Sequence, residues 1–150
     1  MLNELKPLFA SLNSHGVDYL VIGGVAAIAY GVPRLTLDVD ILIRPTPENA
    51  GTMLRAFEDA GFGTAALTNP DELLVNEITI FKDRIRVDVQ TRTPGIDFDA
   101  ALARRHTIVV DEVPVQLVSL PDLIASKRAA GRERDLEDVR ILESMQRSGS

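Results

Sequence analysis

The chain has no cysteine, which excludes a disulfide scaffold, a zinc ribbon and a thiol nucleophile together. Positive charge is not in excess. Sixteen Lys and Arg face 22 Asp and Glu for a net charge of −6, so non-specific attraction to nucleic acid or anionic lipid is disfavoured and only a local basic patch stays open. A long hydrophobic run is also missing. The most apolar stretch, Tyr19 to Val32, is interrupted by Gly23, Gly24 and Gly31 and is too short to cross a bilayer, so no membrane partner is expected. The start, Met1-Leu-Asn-Glu-Leu-Lys-Pro, shows no basic segment followed by an apolar stretch and a small-residue cleavage site, which makes a cytoplasmic location the expectation. Histidine is scarce: His15 beside Gly16 and His106 after Arg104-Arg105 read as solvent-facing rather than as ligands or bases.

What is present is the composition of one ordinary domain: 150 residues, 45% of them apolar and 25% charged. Roughly 70% of the unfolded surface is buried at such a length, enough for a core without staples. No repeat or low-complexity tract divides the chain, so residues 1–146 read as a single domain followed by a flexible tail at 147–150.

Hydrophobic periodicity outlines the elements. Leu5, Leu8, Phe9 and Leu12 predict a helix over about 4–14, with Pro7 in the first turn and Gly16 beyond its end. Residues 18–22 read as a buried strand that Gly23-Gly24 turns into a helix over 25–30, closed by Gly31 and Pro33. From Arg34 to Ile43 the period becomes two: Arg34, Thr36, Asp38 and Asp40 share one face, and Leu35, Leu37, Val39, Ile41 and Ile43 the other. Thr46-Pro47-Glu48 caps a helix over about 47–60. Strands are predicted at 77–81, 85–90, 107–110 and 113–118, the last two joined at Asp111-Glu112 as a hairpin. Helices over 121–130 and 134–145 follow, with Leu123, Ile124, Leu136, Val139 and Leu142 inward. The predicted class is α/β (α+β), a mixed sheet flanked by helices.

The residues that carry chemistry are acidic. Asp38 and Asp40, two apart on a strand, point to one side with Cα atoms about 6.5–7 Å apart. Two like charges so placed raise each other's pKa unless a cation lies between them. Oxygen donors without nearby His or Cys suit Mg²⁺ or Mn²⁺, ions that keep waters and bind substrate phosphates. Taken alone, either acid also reads as a solvent-facing residue on an open sheet face. Gly23-Gly24 after a buried strand lets the backbone approach a ligand and opens a helix toward a phosphate, although a diglycine is as readily a plain turn. Asp88, within Ile85-Arg-Val-Asp-Val-Gln90, shares a face with Arg86 and Gln90 and is either an exposed-face acid or a third ligand meeting Asp38 and Asp40 across neighbouring strands. Arg34 and Thr36 lie on the Asp face, where they would contact phosphate, although an arginine there equally reads as one that merely offsets the local acids. The charges of residues 127–140 nearly balance, the pattern of a solvated helical face.

This order of features, a diglycine turn, Asp38-Val39-Asp40, then a lone Asp88 on a later strand, resembles the nucleotidyltransferase superfamily built on the DNA polymerase β palm. Within it the chain is similar to small stand-alone bacterial proteins related to the abortive-infection AbiEii toxins, whose late Lys and Arg-Asp-x-x-Asp are matched by Lys127 and by Arg134-Asp135-Leu-Glu-Asp138. The resemblance covers about residues 17–142. It implies two-metal transfer of NMP from a nucleoside triphosphate to an acceptor hydroxyl. Asp38, Asp40 and Asp88 would be ligands to Mg²⁺ or Mn²⁺, Gly23 and Gly24 would face the phosphates, Lys127 would meet the nucleotide or leaving pyrophosphate, and Asp135 would orient that lysine or an acceptor. Implied partners are an acceptor such as tRNA, a protein or a small molecule, and a cognate antitoxin if the chain is a toxin. One departure is Val25, where many members carry a phosphate-holding Ser. It motivates the alternative of a catalytically weak nucleotide-binding or partner-binding module of the same fold; metal-dependent phosphoester hydrolysis by the same carboxylates is a third reading.

Overall fold

A computed structural model describes residues 2–36 and 38–148. Thirteen elements alternate along it: α1 (Leu2–Ser14), β1 (Tyr19–Ile22), α2 (Gly23–Ala29), β2 (Asp38–Ile43), α3 (Pro47–Asp59), α4 (Pro70–Val75), β3 (Ile78–Lys82), β4 (Arg86–Gln90), α5 (Phe98–Ala103), β5 (His106–Val110), β6 (Val113–Leu117), α6 (Leu120–Ala130) and α7 (Glu133–Ser148), with a 3-10 turn at Gly63–Leu67. The strands form one mixed sheet in the order β3-β4-β2-β1-β6-β5. Pairing is antiparallel for β1/β2, β3/β4 and β5/β6, and parallel for β2/β4 and β1/β6. Helices flank this sheet, as the periodicity predicts.

One face of the central strands is apolar throughout. Val39, Ile41, Val87 and Val89 are buried on it, and Phe81 meets Phe57 of α3 edge-on at 4.9 Å between ring centres. Leu5, Leu8, Phe9 and Leu12 of α1 join the same core, at helical spacing that puts them on one stripe. Thr46 caps α3 by accepting from the Asn49 backbone N–H. Asn49 itself is buried and ties down the loop before it, accepting from Asp18 N–H and donating to the carbonyls of Asp18 and Arg44. The turn at Asp111-Glu112 holds both residues at positive φ, 48° and 70°, the geometry of a tight hairpin.

Several expectations change. The strand predicted from Arg34 begins at Asp38, because β1 offers partners only up to Ile22 opposite Asp40 and β4 only up to Arg86 opposite Asp38. Residues 34–36 have no strand to pair with; Leu35 is 96% exposed, and Leu37, part of the predicted alternation, lies outside the described residues. Helix α4, begun by Asn69-Pro70, and helix α5, capped by Asp97, carry the same start signals as α3 but were not expected. On α7 the inward stripe is Asp135, Asp138, Val139 and Leu142, which turns Leu136 outward at 42% exposure. The face of α6 and α7 read as solvated is therefore partly interior. His15, expected in solvent, is half-buried against Asp59. Helix α7 runs through Ser148, and the remainder of the predicted tail, residues 149 and 150, lies outside the described residues. No helix among the described residues is long and apolar enough to cross a membrane.

Candidate active site

The parallel pairing of β2 with β4 sets Asp40 directly opposite Asp88 and Asp38 opposite Arg86. In-register residues of neighbouring strands project to the same side at about 4.8 Å spacing, so all three carboxylates rise from one face of the sheet, the one opposite the Val39–Val87 core. That face stays open toward the β3 edge: Asp38 is 41% exposed at its side chain, and Ile78 and Ile80, facing Gln90 and Asp88, are half-exposed.

Asp40 is perturbed by its surroundings. Burial first, then the charges of Asp88 and Asp38, push its carboxyl from the usual 3.8 up to about 6, against a hydrogen bond from Gln90 and the charge of Lys127. Arg86 answers part of the crowding. Its Nε and Nη2 donate to Asp88 at 2.9 and 3.2 Å, and Nε lies 3.8 Å from Asp38. A guanidinium thus stands between two of the acids, where sequence alternation placed Arg86 on the shared face without giving it a role. Among the described residues, no three acidic or imidazole side chains stand close enough together to enclose a metal ion as they are.

Gly23, the first residue of α2 directly after β1, closes the site. It sits at φ +68°, and a Cβ on it would lie 2.4 Å from Asp40 Oδ2, so both backbone conformation and space demand glycine. Gly24 is less constrained: a Cβ there would meet Thr36 at 3.5 Å, ordinary contact. Thr36 folds back on the chain, its Oγ1 accepting from Asp38 N–H at 3.4 Å. Val25 is buried with its side chain in an apolar cavity.

Beside the acids lies an interior ion cluster. Lys127 of α6 is 7% exposed; its Nζ is 2.9 Å from Asp138 and 3.7 Å from Asp135, both on α7. Asp138 is fully buried and also takes Arg34, which donates Nη1 to Oδ2 at 2.9 Å and sets Nη2 2.8 Å from Oδ1 outside hydrogen-bond alignment. Arg34 is therefore tied to α7. Asp135 is bound more closely by Arg132, at 2.7 Å, than by Lys127. Burial works to raise the Asp135 carboxyl, but Arg132 and the Lys127 charge outweigh it and hold it below the usual range. The structure thus brings Asp38, Asp40, Asp88, Gly23 and Lys127 together, and sets Gly24, Thr36, Arg34 and Asp135 one step away. Asp138, Arg86 and Gln90 are the members that sequence reasoning left without a role; alternation along β4 and the i, i+3 spacing from Asp135 are the signals that mark them.

Comparisons with known proteins bear on the family and the fold. The family described as nucleotidyl transferase of unknown function (DUF2204) matches residues 1–150. Among solved structures, a candidate nucleotidyltransferase from Thermotoga maritima superposes with a TM-score of 0.58 at 17% identity, covering 95% of this chain and 92% of that one. An antigenic nucleotidyltransferase-like protein from Paracoccidioides brasiliensis gives 0.58 at 20% identity, over 94% of this chain and 72% of that one. At such identities the likeness is one of fold. The search of curated proteins returns no match.

Proposed function

Because the chain belongs to the family of nucleotidyl transferases of unknown function, we propose that it is a divalent-metal-dependent nucleotidyltransferase that moves NMP from a nucleoside triphosphate to an acceptor hydroxyl on an RNA, a protein or a small molecule. The observation that carries this reading is the in-register pair Asp40 and Asp88, with Asp38 two residues earlier on the same face. The donor set suits Mg²⁺ or Mn²⁺: oxygen only, crowded enough to raise Asp40, and already drawing in the Arg86 cation. Mg²⁺ needs only one or two carboxylates beside substrate phosphates, so the absence of a closed three-acid cage is consistent with it.

Asp38 and Asp40 would hold the ions, with Asp88 completing the set. When bound, they supply charge neutralisation for the entering and leaving oxygens at the α-phosphorus. The chain's own residues do the positioning. Gly23 lets the Asp40 carboxylate lie directly against its backbone, where a Cβ would sit 2.4 Å from Oδ2, and so keeps that carboxylate in place on the site's face. Asp88, once the Arg86 guanidinium swings aside, accepts a hydrogen bond from the acceptor hydroxyl. Lys127, held by Asp138, directs a fixed positive charge toward Asp40 and the departing pyrophosphate. The acceptor oxygen bonds to the α-phosphorus as the bond to the bridging oxygen breaks; the hydroxyl proton leaves by way of Asp88 to water.

The test is incubation with each α-labelled nucleoside triphosphate in Mg²⁺, with cell extract as acceptor source. Asp38→Asn should lower label transfer by about a hundredfold or more with an unchanged circular-dichroism melt; undiminished transfer overturns the assignment. Val25 favours a second reading, a nucleotide-binding module without turnover, because its buried side chain leaves the diglycine corner without a hydroxyl. Tight nucleotide binding with no transfer across a broad acceptor panel selects it. A toxin role would follow only from growth arrest that depends on Asp38.

A further inference from the structure

The sheet ends in β3 on one side and β5 on the other. An edge strand offers its outer backbone N–H and C=O groups to any further strand, and proteins usually blunt it with lysine, proline or a bulge. Strand β5, His106-Thr-Ile-Val-Val110, carries none of these. It pairs residue for residue with β6 and, among the described residues, with no strand on its other side. The turn fixes which of its backbone groups are used. A two-residue hairpin closes on a pair that exchanges both hydrogen bonds; here that pair is Val110 and Val113, so Ile108 with Val115 and His106 with Leu117 are the next bonded pairs. Pro114, which has no N–H, falls opposite Val109, where none is needed. The N–H and C=O of Thr107 and Val109 therefore point away from the sheet, and Val109 is 68% exposed.

The charges at the two ends of β5 are unmatched within the chain. Arg105 is exposed and directs its donors to neutral acceptors, the Gln116 side chain and the Leu102 carbonyl. Asp111 and Glu112, at the other end, are exposed and, among the described residues, pair with no cation. The strand rise holds Arg105 about 20 Å from Asp111, too far to meet in one molecule. Two antiparallel copies of β5 bring them together. Centring the pair on Ile108 satisfies the outward groups: Thr107 bonds Val109 of the second copy and the reverse, and each Arg105 lies across from Asp111 of the second copy, beside its Glu112. The β3 edge lacks this complementarity, since self-pairing centred on Ile80 would set Glu77 against Asp83, like charge against like.

We propose that β5 is the interface for a second copy of this chain: two molecules join edge to edge through antiparallel β5 strands, and one sheet runs through both. The contact is its own complement, so it closes as a dimer and does not propagate into a fibre. In the sheet, β6 and β1 separate β5 from the strands that carry Asp38, Asp40 and Asp88, so the inference stands whether or not the chain transfers nucleotides.

Sedimentation of the full chain over about 1–500 μM should show a monomer–dimer equilibrium with a dissociation constant on the order of 10–100 μM, because edge pairing buries little surface. Hydrogen exchange should slow at the Thr107 and Val109 amides as concentration rises, while Ile108 and Val110 stay protected throughout. Val109→Pro removes an N–H that only the second copy uses, a change an edge strand tolerates. It should weaken association at least about tenfold and leave the melting temperature at micromolar concentration unchanged. If that variant does not fold, the charge variants carry the test. Glu112→Lys lowers the net negative charge, which by general repulsion favours association, yet it should weaken the dimer about tenfold because it faces Arg105 twice across the two-fold axis. Adding Arg105→Glu should restore it. A chain that stays monomeric at about 500 μM, a dimer indifferent to Val109→Pro or strengthened by Glu112→Lys, or protection that omits Thr107 and Val109 overturns the proposal.

Discussion

Replacing Asp40 by Asn should make the protein more stable at neutral pH and unable to use a metal. The Asp40 carboxyl is pushed from 3.8 up to about 6 by burial and by Asp88 and Asp38, so folding penalises its ionised form. The sign follows from linkage: an acid raised in the folded state binds more protons folded than unfolded, so its contribution becomes less favourable as pH rises from 3.8 through 6. The full penalty, present above pH 6, is at most about 3 kcal/mol at 1.36 kcal/mol per pH unit. Asp40 is only partly buried, and solvent screening reduces this to about 1–2 kcal/mol. Asn keeps the shape and the contact with Gln90 while removing the charge. Urea unfolding followed by circular dichroism should show Asp40→Asn ahead of wild type by that amount at pH 7.5 and nearly level with it only below the unfolded pKa of 3.8, at about pH 3. In melting temperature the neutral-pH gain is about 2–8 °C. Added Mg²⁺ should narrow the gap by stabilising the wild type alone. A variant no more stable than wild type at pH 7.5, or a gap of equal size at both pH values, refutes the account of Asp40 as a strained ligand.

Gly23→Ala should cost about 2–3 kcal/mol, from φ +68° and a Cβ placed 2.4 Å from Asp40 Oδ2, while Gly24→Ala stays within about 1 kcal/mol of wild type; equal melting temperatures for the two would contradict the close approach at Gly23. Lys127→Met leaves the fully buried Asp138 with only Arg34 and should destabilise by about 3 kcal/mol, part of which returns when Asp138→Leu is added; a double variant no better than the single one would show that the pairing is not what the cluster contributes. Arg86→Ala removes the guanidinium held by Asp88 and Asp38, and Mg²⁺ binding measured by calorimetry should tighten about tenfold. Unchanged affinity would mean that Arg86 does not compete for the acids.

Much of this protein was legible in residue order. Period-two alternation is a local property of strands, so it put Asp38 with Asp40, and Asp88 with Arg86 and Gln90, before any pairing was known. The diglycine turn, the Thr46-Pro47 cap and the Asp111-Glu112 hairpin follow from backbone preferences of a few neighbouring residues. Alternation could not end β2 at Asp38, because a strand stops where its partners stop, and those partners are β1 and β4. Nor could it tell that the balanced charges of α6 and α7 fold inward, since helical periodicity ranks hydrophobic residues as the buried ones and there Lys127, Asp135 and Asp138 take those places as mutual partners.

Local chemistry along the chain therefore specified which acids share a strand face, that glycines precede them, and that helices surround a mixed sheet. Long-range pairing supplied the rest: the parallel register that seats Asp88 beside Asp40, the Arg86 cation between Asp38 and Asp88, the Arg34–Asp138–Lys127 link across about a hundred residues of chain, and the apolar hollow behind Val25. The physical reason is that hydrogen-bond register and side-chain burial depend on which distant segments meet, and no window of neighbouring residues contains that information.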